Sequence, residues 1–269
     1  MKRLCGLYGV ARAGYYAWRC REESARHKQD RVLTRAIQEI FRGSRGTYGS
    51  PRVQRELASR GMGVSRRRVE RLMRAAGMRA RMVVIYRAQR AMNLHYSQHP
   101  NRLWQVAARR PDRIWVGDVT YVRVGPRWRF LAMVMDQYTR RVLGWSLART
   151  RTTALTRAAF DHAVRHRRPG RGLIFHSDRG NEYLGAGFHE RLESLGVRQS
   201  TTRGGTPAEN AHAESFFHSL KADMLHGLTF TNDGQLRRCL RTYLQYYNYK
   251  RLHSSLDYRS PVAFEQQAA

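Results

Sequence analysis

A mixed α/β fold, preceded by a small all-α unit with a helix-turn-helix-like pair, is the architecture this sequence predicts. Three observations carry the prediction. The apolar period is helical from residue 31 to 80 and changes to strand-like alternation from residue 113. The elements after 113 then run β-β-β-α-β-α-β-α, an order that sets helices against a sheet with both hairpin and crossover connections. Finally, 50 basic residues against 20 acidic ones leave a formal charge of +30 on 269 residues, an excess that calls for a polyanionic partner.

Taken in order, residues 1–27 form an N-terminal helical segment, with two short helices expected across residues 4–19, where Gly9 interrupts the run. Residues 28–80 make the helix-turn-helix-like domain. Val32, Ala36, Ile40 and Phe41 mark the apolar face of its first helix. Ser50-Pro51 is the expected N-cap and first position of the next helix, with Val53 and Leu57 on its inner face. Gly63-Val64-Ser65 makes a tight turn, and Ser65 caps a helix that opens on Arg66, Arg67 and Arg68 and buries Val69, Leu72, Met73 and Ala76. Two helices joined by a short glycine turn, with basic residues at the start of the second, point to DNA contact. Residues 81–112 are arginine-rich and form a basic linker.

Residues 113–269 form the α/β unit with C-terminal helices. Strands are expected over 114–124, 127–136 and 140–147, with turns at Gly125-Pro126 and 137–139. A helix over 153–166, a short buried strand over 172–175, a helix over 186–195 and a last strand over 197–200 follow. A glycine-rich loop over 201–207 leads into a helix expected to run from 207 to 225, and another spans 233–247.

The charge makes nucleic acid the first candidate partner and an anionic membrane surface the second. Against the membrane, the chain has no long apolar run, Phe130–Met135 being typical, and no signal-peptide core follows Met1-Lys2-Arg3. The three cysteines, Cys5, Cys20 and Cys239, are scattered and form no CxxC pair, which fits a reducing cytoplasm and excludes a zinc ribbon or disulfide scaffold. His162 and His166 have i, i+4 spacing but lack companion ligands, so a helix surface is their expected place.

Three carboxylates stand out. Asp118 lies in the middle of an apolar strand, where an isolated charge is expensive unless something pairs with it. Asp178 follows the short buried strand, and Glu214 lies on the late helix 36 positions further on. Carboxylates from separate elements, with no Cys or His set, suit hard ions such as Mg²⁺ or Mn²⁺. Two such ions about 4 Å apart serve the attacking and leaving oxygens of phosphoryl transfer. Lys221, one of four lysines among 46 arginines, falls seven residues after Glu214. On a continuous α-helix the two would share a face roughly 10 Å apart along the axis, joining a metal ligand to a compact phosphate-binding cation.

Several motifs recur together: Trp115-x-x-Asp118-x-Thr120-Tyr121, Met135-Asp136-x-x-x-Arg140-x-x-x-Gly144-Trp145, His176-Ser-Asp-Arg-Gly-x-x-Tyr183, Asn210-Ala-x-Ala-Glu214-Ser-Phe-Phe-x-Ser-Leu-Lys221 and Tyr246-Tyr247-Asn248-x-x-Arg251-x-His253. This set resembles the OrfB transposases of the Insertion Sequence 3 family, over nearly the whole chain. The resemblance implies an RNase H-like integrase catalytic core in which Asp118, Asp178 and Glu214 bind two Mg²⁺ ions, Asp118 bridging. It implies nicking of DNA at an element's end and strand transfer by the exposed 3′-OH, with no covalent protein–DNA intermediate. Lys221 would grip the terminal phosphate, Asn210 would orient the loop or the DNA, and Tyr121 and Tyr183 would be packing residues. It also implies a partner, the OrfA product, joined to OrfB by frameshifting, and at least a dimer on DNA. The chain has no zipper heptads, so it is expected to be the catalytic half. Two departures fall in the loop before the catalytic helix. Glu209 stands where the family commonly has Asp, and Ser200-Thr-Thr-Arg203-Gly-Gly replaces the commoner turn. The alternative reading is a non-catalytic, domesticated DNA-binding regulator, which need not retain all three carboxylates.

Overall fold

The computed structural model describes residues 1–20, 22–80, 106–202 and 207–268. Most of the basic linker, residues 81–105, and the loop residues 203–206 lie outside the described residues. The chain forms two compact units, Met1–Arg79 and Ala80–Ala269.

The first unit is all-helical: α1 (Lys2–Leu7), α2 (Arg12–Arg19), α3 (Ala25–Gly43), α4 (Ser50–Ser59) and α5 (Arg66–Ala75). Its core is Ile37 and Ile40 from α3, Val53 and Leu57 from α4, and Val69, Leu72 and Met73 from α5. Val32 is 62% exposed and lies off this core, so the buried stripe of α3 begins at Ala36. Ser65 caps α5 as expected, its hydroxyl accepting from the Arg68 N–H at 3.3 Å. Gly49, not Ser50, occupies the N-cap of α4. Ser50 instead donates its hydroxyl to Glu70 Oε1 at 3.0 Å, tying α4 to α5.

The second unit is a five-stranded mixed sheet of order β3-β2-β1-β4-β5. The strands are β1 (Ile114–Val124), β2 (Arg127–Asp136), β3 (Val142–Ala148), β4 (Ile174–Ser177) and β5 (Arg198–Thr201). β1, β2 and β3 pair antiparallel as hairpins, whereas β4 and β5 join in parallel, as their helical crossovers require. Helices cover both faces. On one, Trp115, Ala132, Val134 and Phe175 pack with Leu155, Ala159 and Phe160 of α6 (Thr153–Arg167), with Tyr183 of the single turn α7 (Asn181–Leu184), and with Phe188 of α8 (Ala186–Glu193). On the other, Ile114, Val116, Met133 and Met135 pack with Phe216, Phe217 and Leu220 of α9 (Ala211–Leu220) and with Leu236, Leu240 and Tyr243 of α10 (Asp233–Tyr249). The chain closes on α11 (Pro261–Ala268).

The segment expected as one helix from 207 to 225 is three consecutive structures. A 3₁₀ turn covers Pro207–Asn210, α9 follows, and a π turn covers Lys221–Leu225. The π turn is locked by a buried cluster. Asp223 Oδ2 accepts Arg251 Nε at 2.6 Å and the Tyr243 hydroxyl at 3.1 Å, and Arg251 Nη2 donates to Ser219 Oγ at 3.1 Å. Arg251 and Asp223 are each 2% exposed. A buried pair is tolerated where further hydrogen bonds satisfy both charges, and that need accounts for Arg251 in the C-terminal motif. Asp136, also buried, ends β2 in the same spirit. It accepts the N–H groups of Tyr138, Thr139 and Asp112 at 2.7–2.9 Å and so closes the turn into β3.

Candidate active site

The site is built where the two adjacent parallel strands part, in the middle of β1 and just past the carboxyl end of β4. Gly117 lies opposite Ser177 in the β1–β4 register, so the next residues, Asp118 and Asp178, emerge side by side. β4 pairs with β1 no further than Gly117, and beyond it that edge of β1 has no strand beside it among the described residues. Gly117 is required here by close approach. A Cβ on it would stand 2.5 Å from Phe175 Cζ and 3.2 Å from the Tyr183 hydroxyl. The residue before the carboxylate must therefore be bare for β1 to settle on the aromatic layer beneath.

Asp118 is half-buried, and its Oδ1 accepts the Val119 N–H at 2.7 Å. Burial, then the neighbouring charge of Asp178 with a smaller contribution from Glu214, pushes its pKa up to about 7, against the pull of the Val119 N–H and Arg151. Asp178 Oδ1 accepts the Gly180 N–H at 3.1 Å, and Arg151 Nη2 stands 3.8 Å from its Oδ2. Burial raises the Asp178 pKa as well, opposed by the Gly180 N–H and by Arg151. Glu214 sits in the first turn of α9, exposed, with a pKa raised by partial desolvation. Asn210 stands at the N-cap of α9 but does not cap it. Its Nδ2 donates to the Gly117 carbonyl at 3.3 Å, pinning the start of the helix beside Asp118.

The donor set is all oxygen, and two of its members resist ionisation because they are partly buried, Asp118 also because it faces the Asp178 charge. That is the electrostatic condition a divalent cation relieves, and oxygen donors fit Mg²⁺ or Mn²⁺. Among the described residues, no three His, Cys, Asp or Glu side chains yet converge closely enough to hold an ion.

Two site residues escaped the sequence reading. Arg151 donates to Glu182 Oε1 from Nε at 2.6 Å while facing Asp178, and Glu182 is only 5% exposed. A buried glutamate thus holds an arginine against the site. The signal available was Glu182 within the His176–Tyr183 motif; nothing local pointed to Arg151. Tyr183 packs as expected, 1% exposed among Phe175 and Phe188, with its phenol pKa raised well above the ordinary value by burial. Tyr121 does not pack: it is 58% exposed, and Lys221 Nζ lies 5.4 Å from the centre of its ring. Lys221 thus leans toward β1 from the end of α9, where its N–H still bonds to the Phe217 carbonyl, so the seven residues from Glu214 are α-helical as the spacing suggested.

In the first unit the three arginines of α5 are not equivalent. Arg66 Nε pairs with Glu70 at 3.0 Å, and Arg68 Nε pairs with Asp30 at 2.8 Å, bracing α5 against α3. Arg67 is exposed and pairs with no carboxylate among the described residues. On the second unit, His162 Nδ1 lies 3.1 Å from the backbone of Trp145, so this histidine serves the edge of β3. Among the described residues no helix is long and apolar enough to cross a membrane.

This sheet order, with one aspartate in the middle of β1 and another just after β4, defines the integrase class of catalytic core. Residues 108–207 and 195–261 match the Integrase core domain family, and residues 28–94 match the HTH-like domain family. The fold is similar to a chain of the simian T-cell lymphotropic virus intasome solved in complex with the PP2A regulatory subunit B56 gamma. The TM-score is 0.52 at 18% identity, over 79% of this chain and 70% of that one. Closer relatives narrow the class. The insertion element IS600 uncharacterized 31 kDa protein of Shigella sonnei is 36% identical over 98% of both chains. The transposase InsF for insertion sequence IS3A of Escherichia coli K12 is 33% identical over 99% of this chain and 94% of its own. The chain belongs to the Insertion Sequence 3 family of transposases, which are polynucleotidyl transferases of the DDE type.

Proposed function

We propose that Asp118, Asp178 and Glu214 are the catalytic carboxylates, that they hold two Mg²⁺ (or Mn²⁺) ions, and that the protein nicks DNA at an element's end and transfers the exposed strand. The observation that carries this reading is the register Gly117–Ser177, which sets Asp118 beside Asp178 with Glu214 in electrostatic range. When bound, the ions supply Lewis-acid stabilisation of the attacking and leaving oxygens.

The chain's own residues do the rest. Water attacks phosphorus at the element end; the new P–O bond forms as the bond to the 3′-oxygen breaks, and that oxygen leaves as a 3′-OH. In the second step this hydroxyl attacks a target phosphodiester and displaces its 3′-oxygen in turn. Lys221 grips the terminal phosphate, Asn210 fixes the start of α9 against β1, and Arg151 holds the Asp178 carboxylate while Glu182 balances its charge. Tyr183 stays protonated in its buried layer, which speaks against a covalent tyrosyl–DNA intermediate. On the first unit, Arg67 is the free cation offered to the DNA backbone, with Arg66 beside it; Arg68 contributes through its brace to Asp30. The reading includes a bacterial cytoplasmic setting on the nucleoid, an OrfA product or OrfA–OrfB fusion as partner, and a homo-oligomer assembled on DNA.

The test is incubation with labelled DNA carrying the element's ends, with the OrfA region supplied and Mg²⁺ present. Metal-dependent nicking that disappears in Asp118→Asn is expected. Nicking that survives Asp118→Asn overturns the assignment, and salt-sensitive binding without cleavage under any condition favours the non-catalytic regulator.

A further inference from the structure

Beyond the carboxylates, the hairpin of β1 and β2 carries two aromatic rings in the open. Tyr121 is 58% and Trp128 50% exposed. Among the described residues of 80–269, Tyr249 is the other exposed aromatic, and it lies on α10. A single exposed ring needs no explanation. These two touch, with ring centres 5.1 Å apart and planes at 87°. Each also carries a cation: Lys221 Nζ 5.4 Å from the Tyr121 ring, and Arg123 Cζ 5.8 Å from the Trp128 ring. Arg123 and Trp128 are direct cross-strand partners, and Tyr121 lies on the same face two residues earlier. The hairpin is anchored, since the Gly125 N–H donates to the Phe230 carbonyl at 2.7 Å and Arg123 Nε donates to the Gly125 carbonyl at 3.2 Å.

We propose that Tyr121 and Trp128 form a stacking platform for an unpaired base of the DNA strand held at the active site. The inference rests on the function proposed above. Aromatic surface flanked by cations is the chemistry that binds unpaired nucleotides: the rings take the base face and the cations take the adjacent phosphates. A fully paired duplex offers phosphates but no base faces, so cations alone would serve it. Position fits as well. Tyr121 lies three residues beyond Asp118, about 10 Å along a strand, on the other face of β1, and Lys221, from the helix that carries Glu214, reaches its ring there. Lys221 joins the platform to the phosphate site. The base recognised is thus within a few nucleotides of the scissile bond, where an end must open for the carboxylates to reach it.

The experiment compares the full chain with Trp128→Ala, Tyr121→Ala and Trp128→Phe. The probes are a paired duplex and the same duplex with a short single-stranded 3′ tail containing 2-aminopurine, in Ca²⁺ to hold back cleavage. The tail is expected to tighten binding by the wild-type protein and to lose fluorescence as it stacks. Each alanine variant is expected to weaken tailed-probe binding by about 5- to 150-fold, the range alanine substitution at a base-stacking ring gives, and to relieve the quenching. Binding of the paired duplex is expected to stay the same, and Trp128→Phe to retain the effect. Equal weakening on both probes, or quenching that survives both alanine variants, overturns the platform. Nicking by the wild-type protein in Mg²⁺, run in parallel, reports on the carboxylate assignment separately, so failure of one reading is distinguishable from failure of the other.

Discussion

Replacing Asp118 by Asn should stabilise the metal-free protein at neutral pH while abolishing its chemistry. The carboxyl group of Asp118 is pushed from 3.8 to about 7 by burial and by Asp178. A raised carboxyl pKa means the folded state binds a proton that the unfolded chain has released. Stability therefore falls as pH rises from about 4 to about 7 and stays low above that. At 1.36 kcal/mol per unit, the three-unit shift bounds the penalty at about 4 kcal/mol. Asp178 is itself 39% exposed at the side chain and faces Arg151, so screening reduces the expected penalty to about 1–3 kcal/mol. The assay is urea denaturation in EDTA from pH 5 to pH 8 on both proteins. His176 and His212, held near pKa 4 by burial, add a slope of opposite sign below pH 6.5, because the unfolded chain binds protons there that the folded one refuses. That slope is common to both proteins, so the difference between the curves isolates Asp118. The asparagine variant should already be the more stable at pH 5, by somewhat over a third of the full difference, and the gap should widen to pH 8. Added Mg²⁺ should then raise the wild type alone. Parallel curves across the whole range would refute the argument that Asp118 and Asp178 oppose each other's charge.

Two further outcomes follow from contacts away from the carboxylates. Arg251→Met leaves Asp223 buried and unpaired and should cost about 3–5 kcal/mol in urea denaturation, whereas the double variant Arg251→Met with Asp223→Leu should recover much of that loss; a single variant as stable as wild type would show that the cluster does not hold the π turn. Arg67→Ala should lower DNA affinity and reduce the slope of log K against log salt by about 0.9 without changing the melting temperature. Arg68→Ala should instead lower the melting temperature by removing the brace to Asp30, and identical behaviour of the two variants in both assays would contradict the distinction drawn between them.

The three candidate carboxylates stand out in the sequence because of their local contexts, and the structure places Asp118 and Asp178 side by side. Asp118 interrupts an apolar strand, Asp178 follows one, and Glu214 lies in the first turn of a helix whose Phe216 and Phe217 are buried. Strand positions, to within two residues (172–175 expected, Ile174–Ser177 found), and the Ser65 cap were legible for a similar reason: alternation and capping are set by residues a few positions apart. The losses occurred wherever a residue's environment is decided by distant parts of the chain. Alternation puts Tyr121 on the face of Trp115 and Val119, and Trp115 is covered by Phe160. The period identifies the face but not where its cover ends, and Tyr121 lies past that end. Arg151 is drawn to the site by Glu182, 31 residues later.

The segment after Lys221 shows the same limit most sharply. The seven residues from Glu214 to Lys221 do read as two α-helical turns, and the helix changes pitch only beyond the Lys221 N–H, where Asp223 is buried. That side chain is buried against Arg251 and Tyr243, 28 and 20 residues further along. A straight α-helix and a π turn bring Asp223 to different depths, and the stronger demand is to satisfy a buried charge, not to preserve one turn's hydrogen-bond spacing. The C-terminal motif thus sets where the helix stops being α. Lys221, the last residue held by an α-helical hydrogen bond, reaches Tyr121 from that point, so the cation that the spacing places seven residues along from Glu214 stands at the strand whose edge is open.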